Sequence, residues 1–190
     1  WEQYDMAHYL CLFAFSWLYQ ERTWTAIAFL IIQKIGHSSL TLGYAITASD
    51  FIISPATPSS TARAGGIVFP IIKSLSSALG SEPGETARRF GAYIMQIEYQ
   101  ANAITCAMFM TAMAGNPLSV ELAEKATGTQ ITWSGWAVAA IVLGLISLMV
   151  MPYLLYRLFP PEIGEMPLAK QMATDELTKM GAMSTVEKIV

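Results

Sequence analysis

Apolar residues run in long stretches along this chain, and short groups of polar residues interrupt them at defined points. The longest stretch lies between residues 126 and 156, which include no charged side chain. Its core, WAVAAIVLGLISLMVMPYLLY, exceeds the roughly 20 residues that an α-helix needs to cross a bilayer. Tryptophans flank one end and tyrosines the other, as aromatic residues do at membrane interfaces. The pattern predicts a transmembrane helix over residues 133–157, in preference to a buried helix of a soluble protein.

The preceding stretch, residues 88–126, opens with two arginines and is apolar with scattered polar residues. At Ala-Gly-Asn-Pro, residues 114–117, glycine and proline should interrupt a helix. Apolar residues resume at Leu118. We interpret this stretch as a transmembrane helix that is broken inside the membrane, rather than one that ends outside it.

A polar knot separates two further apolar arms in FIISPATPSSTARAGGIVFPII, which begins at Phe51. The arms cover residues 40–54 and 64–79, and Pro-Ser-Ser-Thr joins them at 58–61. Each arm is short for a full crossing. We predict a re-entrant helical hairpin over residues 37–80, which enters and leaves the membrane on the same side. Two ordinary short helices, or one kinked spanning helix, are the alternatives.

The N-terminal part of the chain, residues 1–36, carries a weaker pattern. An apolar run at residues 6–19 is interpreted as the end of a truncated spanning helix. Residues 25–34 are too short to span and are interpreted as a segment that lies along the interface.

The C-terminal part, residues 160–190, is predicted to be a cytoplasmic interfacial linker followed by the start of another helix. Its apolar spacing suits a surface helix over residues 168–180, which Gly181 would end. Ser-Thr-Val-Glu at 184–187 forms the pattern of a capping box. We therefore expect the chain to be an internal fragment of a larger protein.

Composition agrees with an all-α integral membrane protein. Hydrophobic residues make up 54% of the 190 residues and charged residues only 13%, whereas a soluble domain carries about a quarter charged residues. A net charge of −3 gives no sign of nucleic-acid binding. The two cysteines are far apart and the two histidines lack clustered partners, so we expect neither a disulfide nor a metal site. Since no hydrolase, metalloprotease or phosphate-loop motif is present, we do not expect an enzyme, and we expect no cofactor, with sodium left open as a bound ion.

Basic residues indicate the orientation. If the hairpin is re-entrant, nearly all of them fall on one side, which the enrichment of Lys and Arg in cytoplasmic loops assigns to the cytoplasm. Those residues are Lys34, Lys73, Arg88, Arg89, Arg157, Lys170, Lys179 and Lys188. Lys125 stands nearly alone on the opposite side.

Polar breaks at membrane depth are costly, because each unsatisfied backbone group there costs several kcal/mol. Such breaks therefore indicate a water-lined cavity or a binding site. In secondary transporters, half-helices aim their N-terminal N–H groups at anionic substrates. Pro58 can stop one arm, and the hydroxyls of Ser59, Ser60 and Thr61 can cap the next or bind a carboxylate. Backbone carbonyls around residues 114–116 could hold a small cation or complete the pocket. The alternative is helix capping without a ligand.

Two ionisable residues within the apolar segments are candidates for an electrostatic role. Arg63 follows the tip and could attract an anion, or pair with Asp50 or Glu98. Glu98 lies about 15 Å from Arg89 along a helix that rises 1.5 Å per residue. The alternative is therefore that Glu98 lies near a water-filled vestibule and not at the substrate site.

Several segments also resemble the divalent anion:sodium symporter family, in the branch of citrate carriers and 2-oxoglutarate/malate translocators. The likeness covers roughly residues 37–162, and its most specific block is PSSTARAGG, supported by RRFGAYIMQ, MTAMAGNPL and MPYLLYRLFPPE. The resemblance implies a homodimer in which each full chain holds two inverted repeats. It also implies elevator-type transport of di- or tricarboxylates, by exchange or with sodium, in a bacterial cytoplasmic membrane or a plastid inner envelope.

The resemblance assigns site residues as well. Substrate would contact Ser59, Ser60, Thr61, Asn116 and Pro117. Sodium would lie near Ser59, Ser60, Ala114 and Gly115. The tip reads Ser-Ser-Thr where the family has Ser-Asn-Thr, so Ser60 replaces an amide. The second repeat, expected to complete the site, is not within these residues. A multi-pass scaffold or assembly subunit that does not transport is the alternative function.

Overall fold

The computed structural model describes residues 22–164 and 167–181. The helices in chain order are α1 (22–35), α2 (Ser39–Ile53), α3 (Ser60–Ala62), α4 (Phe69–Ala78), α5 (Gly91–Met108), α6 (Gly115–Thr127), α7 (Trp133–Leu158) and α8 (Pro167–Met180). The expected all-α class is confirmed for the part of the chain described. The predicted spanning segment at 6–19 and the capping box at 184–187 lie outside the described residues.

The segment predicted as a hairpin folds as two helical arms. Ser38 opens α2 through a capping box with Thr41: its Oγ accepts from the Thr41 N–H, and the Thr41 hydroxyl accepts from the Ser38 N–H. A 3-10 turn, Ser54–Ala56, ends this arm. The second arm runs from residue 60 to residue 78 as α3, a π turn at Arg63–Val68, and α4.

The π turn of the second arm ends at Phe69, whose N–H donates to the Ala64 carbonyl five residues earlier. Pro70 follows directly, and it has no N–H with which to continue a regular helix. Two adjacent glycines, at 65 and 66, lie within the turn. Single π turns are often found at functional sites.

The break after α5 lies slightly upstream of the predicted one. The chain leaves the helix at Phe109, makes a 3-10 turn over Met110–Ala112, and re-enters a helix at Gly115. Pro117 therefore lies in the first turn of α6, where the absence of its N–H costs little. Gly and Asn open the second half-helix rather than ending the first.

Among the described residues, α7 is the one helix both long and apolar enough to cross a bilayer. Most of its surface is exposed apolar side chain, and only Gly144, Leu148 and Pro152 are buried. Such a surface is typical of a helix that faces lipid. Its 26 residues correspond to about 39 Å of helix.

Helix α5 is the centre of the bundle and packs on both α2 and α7. It runs parallel to α2, since Gly43 lies against Tyr93 and Ile97, while Asp50 meets Thr105 further along both helices. It runs antiparallel to α7, because its last residue, Met108, lies against Gly144, and Tyr93 Oη donates to the Pro152 carbonyl at 3.4 Å. The end of α5 thus lies near the middle of α7.

Helix α1 belongs to the core. Ala28, Phe29 and Ile32 are buried in the same apolar cluster as α2, α4 and α5. Gln33 Nε2 donates to the Thr174 hydroxyl of α8 at 2.9 Å. The segment predicted to lie along an interface therefore packs one face against the bundle.

A helix, α8, lies where the surface helix was predicted, and Gly181, with φ +73°, follows it. Ala169 and Ala173 are buried. The Ser39 hydroxyl donates to the Ile163 carbonyl, and the Glu162 N–H donates to the Arg89 carbonyl at 3.0 Å. These contacts bring the starts of α2 and α5 and the end of α7 to one end of the bundle, where most of the basic residues were expected.

Candidate functional site

The tip between the two arms is open. Ser59 is the N-cap of the second arm, and its Oγ accepts from the Ala62 N–H at 3.3 Å. Ser59 and Thr61 are exposed, and Ser60 is half-buried. The first N–H groups of a helix have no intrahelical acceptor, and the helix dipole adds positive potential there. The tip therefore presents donors and hydroxyls to whatever lies in front of it.

A buried ion pair lies directly behind the tip. Arg63 Nε is 2.7 Å from Asp50 Oδ1, and both side chains are fully buried. The Thr105 hydroxyl donates to Asp50 Oδ2 at 2.5 Å and also lies 3.1 Å from Arg63 Nη2. Cys106 Sγ is 3.4 Å from the same nitrogen. The network ties both arms to α5.

The two breaks lie side by side. The 3-10 turn Ser54–Ala56 packs against the 3-10 turn Met110–Ala112. The Thr111 hydroxyl donates to the Pro55 carbonyl at 2.9 Å, and Asn102 Nδ2 donates to the Ser60 carbonyl at 3.5 Å. Two interruptions that are 55 residues apart in sequence therefore form one polar region.

Asn116 holds the break together. Its buried Nδ2 donates to the carbonyls of Cys106 at 2.7 Å and Phe109 at 3.0 Å. The Cys106 carbonyl belongs to the last turn of α5, where helical donors run out, and the Phe109 carbonyl, just beyond α5, also accepts from the Ala112 N–H at 3.0 Å. The side chain that the resemblance assigned to substrate thus satisfies backbone groups of the broken helix.

The other residues assigned to the second break differ in exposure. Ala114, the N-cap of α6, and Pro117 are exposed, and Gly115 is half-buried. Ala114 provides no side-chain cap to α6. Any ligand here would meet backbone groups rather than side chains of these three residues.

Glu98 lies apart from the tip. It is two turns before Thr105 on α5 and is buried, with 6% of its surface exposed. No described protein group donates a hydrogen bond to either of its carboxylate oxygens. Among the described residues, no hydrogen bond joins its carboxylate to the hydroxyls of the tip.

The sequence left Asp50 and Glu98 open as partners of Arg63, and the structure identifies the partner as Asp50. Thr105, Cys106 and Thr111 were not singled out, although all three contact the site. The available signal was weak: Asp50 and Arg63 are the only charged residues between Lys34 and Lys73. Hydroxyl residues inside an apolar helix are too common to identify Thr105.

The described part of the chain contains no cluster of the side chains that usually bind metal ions. No group of three His, Cys, Asp or Glu side chains there is placed to hold a metal ion. Sodium, a hard cation, prefers hydroxyl and carbonyl oxygens, and such groups line both breaks.

Comparison with known proteins shows that the similarity to this family covers most of the chain. Residues 17–190 match the family described as the sodium:sulfate symporter transmembrane region. A candidate malate transporter of Bacillus subtilis, YflS, is 50% identical over 162 residues, which are 85% of this chain and 34% of that protein.

Two further relatives come from a plant and another bacterium. The chloroplastic dicarboxylate transporter 1 of Spinacia oleracea is 47% identical over 165 residues, covering 86% of this chain and 29% of that protein. The citrate/succinate antiporter of Escherichia coli is 40% identical over 162 residues, covering 85% of this chain and 33% of that protein. The chain spans about a third of the length of these relatives, which are transporters and not enzymes. The chain therefore belongs to the sodium:sulfate symporter transmembrane family, the divalent anion:sodium symporters of integral membranes.

Proposed function

We propose that the chain is the first of two inverted repeats of a secondary transporter that carries di- or tricarboxylates by an elevator-type movement. The carried substrates belong to the 2-oxoglutarate, malate, succinate and citrate class. The full transporter is a homodimer, and the second repeat supplies the other half of the binding site. The names of the relatives support the substrate class.

One observation carries the proposal: the two helix breaks pack together through Thr111 and Pro55. A scaffold has no need of two adjacent breaks in apolar helices, since each exposes backbone groups that cost several kcal/mol in lipid. A substrate site does need them, because they supply N–H groups for an anion and carbonyls for a cation. Ser59, Ser60 and Thr61 would bind the carboxylates from the first break.

The depth of the tip supports a re-entrant hairpin. The end of α5 lies near mid-length of α7, and the tip is bonded to the residues just beyond that end. Both arms run back to the end of the bundle where α7 finishes. A hairpin that stops near the middle of a spanning helix would enter and leave the membrane on one side.

Charge balance constrains how the substrate is held. Asp50 already neutralises Arg63 behind the tip. We infer that a dianion is bound by backbone N–H groups and hydroxyls of the first repeat, and that further compensation comes from the second repeat. Asn116 acts by holding the shape of the break.

We further propose that transport is an exchange. Ser60 stands where the resemblance places an amide, so a hydroxyl replaces the amide oxygen that would contact sodium and substrate, and we infer that this change weakens sodium coupling. Since Ser60 is only half-buried, its hydroxyl remains accessible to substrate.

The test uses the full-length transporter in proteoliposomes. Labelled 2-oxoglutarate uptake is followed with and without internal malate, and with and without sodium. We expect uptake that requires internal malate and ignores sodium. Sodium-driven uptake into empty vesicles would show that the transporter is a symporter and not an exchanger. No uptake of 2-oxoglutarate, citrate or succinate in any condition would favour the scaffold function.

A further inference from the structure

Glu98 is a buried acid for which the proposed transport has no use. It lies on the face of α5 that packs on the hairpin, between the buried residues Ile97 and Ala101. Only 6% of its surface is exposed, and neither oxygen has a donor among the described residues. In this respect it differs from Asp50, whose two oxygens are bonded to Arg63 and Thr105.

The charged groups that face Glu98 come from the two arms. Asp50 on α2 repels a negative charge on Glu98, and Arg63 on the π turn attracts it. Arg63 is engaged with Asp50 at 2.7 Å, so these two charges largely cancel. The remaining titratable side chains of the elements packed on α5 are Tyr44, Lys73, Arg88, Arg89, Tyr153, Tyr156 and Arg157. Of these, Lys73, Arg88, Arg89, Tyr153 and Arg157 are exposed, and Tyr44 Oη bonds the Met149 carbonyl.

An ionised carboxylate in this position would be costly. Burying an unpaired charge without donors is so unfavourable that such a group usually changes its protonation state instead. An acid that keeps its proton avoids this cost and leaves the Asp50–Arg63 pair undisturbed. A bound cation would have to find other oxygen ligands, whereas a proton requires only the carboxylate itself.

We propose that Glu98 is a proton-binding site that holds one proton at neutral pH in the packed bundle. The inference goes beyond the proposed transport, because it concerns the packing of α5 on the hairpin and holds whatever substrate is carried. Ionisation of Glu98 would place a second negative charge opposite an arginine that Asp50 already neutralises. High pH should therefore weaken the packing behind the tip.

Infrared spectroscopy of the full-length protein in lipid tests this directly. A protonated carboxylic acid has a C=O stretching band distinct from those of carboxylate and amide groups. At neutral pH we expect such a band in the unaltered protein and in Glu121→Gln, a control that alters an exposed glutamate paired with Lys125. The band should be lost in Glu98→Gln. Spectra are recorded in sodium and in potassium buffers.

Stability against pH gives a second readout that needs no transport. A folded state that binds more protons than the unfolded state loses stability as pH rises. Glu98→Gln should match the unaltered protein below about pH 4, where a glutamate is protonated in the unfolded chain as well, and become the more stable of the two as pH rises above that, as measured by thermal unfolding. Glu121→Gln should follow the unaltered protein throughout.

Three results would overturn the proposal. A folded protein without a Glu98-dependent acid band at neutral pH would mean that the group is ionised. A band that appears only when sodium is removed would assign the site to a cation. Destabilisation by Glu98→Gln at every pH would mean that the carboxylate is paired with a group of the full-length chain. Because none of these depends on carboxylate uptake, failure here is distinguishable from failure of the transport proposal.

Discussion

Asp50 and Arg63 lie thirteen residues apart in sequence, yet their side chains meet at 2.7 Å with no exposed surface. The pair spans the open tip of the hairpin, and Thr105 attaches it to α5. Polar residues at this depth therefore have two separate roles. Those in front of the tip are exposed, where the proposed substrate would bind, and those behind it fix the distance between the arms.

Breaking this pair should strongly destabilise the protein. Asp50→Ala leaves Arg63 buried without its carboxylate, and removing one partner of a buried pair costs about 3–5 kcal/mol. The double variant Asp50→Ala/Arg63→Met removes both charges and should recover much of the loss. Thermal unfolding of the full-length protein in detergent provides the measurement. The exposed pair of Glu121 and Lys125 is the matched control, and Glu121→Ala should change little.

The close approach of α2 and α5 depends on Gly43. A Cβ at this position would lie 2.5 Å from Ile97 Cδ1 and 2.8 Å from Tyr93 Oη. We expect Gly43→Val to separate the helices and to cost about 1–3 kcal/mol, the usual range for overpacking. Gly65→Ala is the control, since its Cβ would meet no atom within 4 Å. Equal unfolding temperatures for the two variants would contradict the packing described.

Asn116 should affect stability more than substrate recognition. Asn116→Ala removes the donor to the Cys106 carbonyl and one of the two donors to the Phe109 carbonyl, and a buried group left unsatisfied costs about 1–3 kcal/mol. The unfolding temperature should fall even in the absence of substrate. Asn116→Asp, which keeps the size and loses the donor, should behave similarly. If instead both variants unfold normally and only their substrate affinity falls, Asn116 contacts the ligand.

The hydroxyls of the tip should show the opposite behaviour. Ser59→Ala and Thr61→Val are expected to lower the affinity for carboxylates and to leave the fold intact. Ser59→Ala also loses an N-cap, worth about 0.5–2 kcal/mol. Substrate protection of Cys106 from a thiol reagent, followed by mass spectrometry, reports binding, because Cys106 lies behind the tip. Ser147→Ala, on the exposed surface of α7, should retain full protection.

Membrane topology can be tested with single cysteines in a background of Cys11→Ser and Cys106→Ser. Lys73→Cys and Arg157→Cys should react with a membrane-impermeant thiol reagent from the same side, since a re-entrant hairpin returns to the side where α7 ends. Lys125→Cys, near the end of α6, should react from the other side. Labelling of Lys73→Cys and Lys125→Cys from one side would exclude the re-entrant hairpin.

Apolar spacing was sufficient to predict the helices. Glycine, proline and hydroxyl residues marked the turn after α2 and the region of the break after α5. The break itself begins at Phe109, and no residue type there predicts it. The helix ends at this point because the Asn116 amide hydrogen-bonds to carbonyls at the end of α5. A side chain that contacts backbone groups seven and ten residues away leaves no local pattern.

The sequence also did not predict the burial of α1, for a different reason. Ala28, Phe29 and Ile32 lie on one helical face, but the same spacing serves a helix on a membrane surface and a helix in a protein core. Only the partner distinguishes the two. The choice between Asp50 and Glu98 as partner of Arg63 also depended on tertiary geometry, since α2 and α5 run parallel and bring Thr105, not Glu98, to the level of Asp50.

The tryptophans at the start of α7 bond to the broken helix. Trp136 Nε1 donates to the Ala107 carbonyl at 3.0 Å, and Trp133 Nε1 lies 3.4 Å from the Thr111 hydroxyl. Indole rings prefer the headgroup level of a bilayer, and a spanning helix tilts when the bilayer thickness changes. The same two rings thus link the lipid boundary to the second break. We expect membrane thickness to change the geometry of this break, so that lipid composition would alter substrate binding in the proposed transporter.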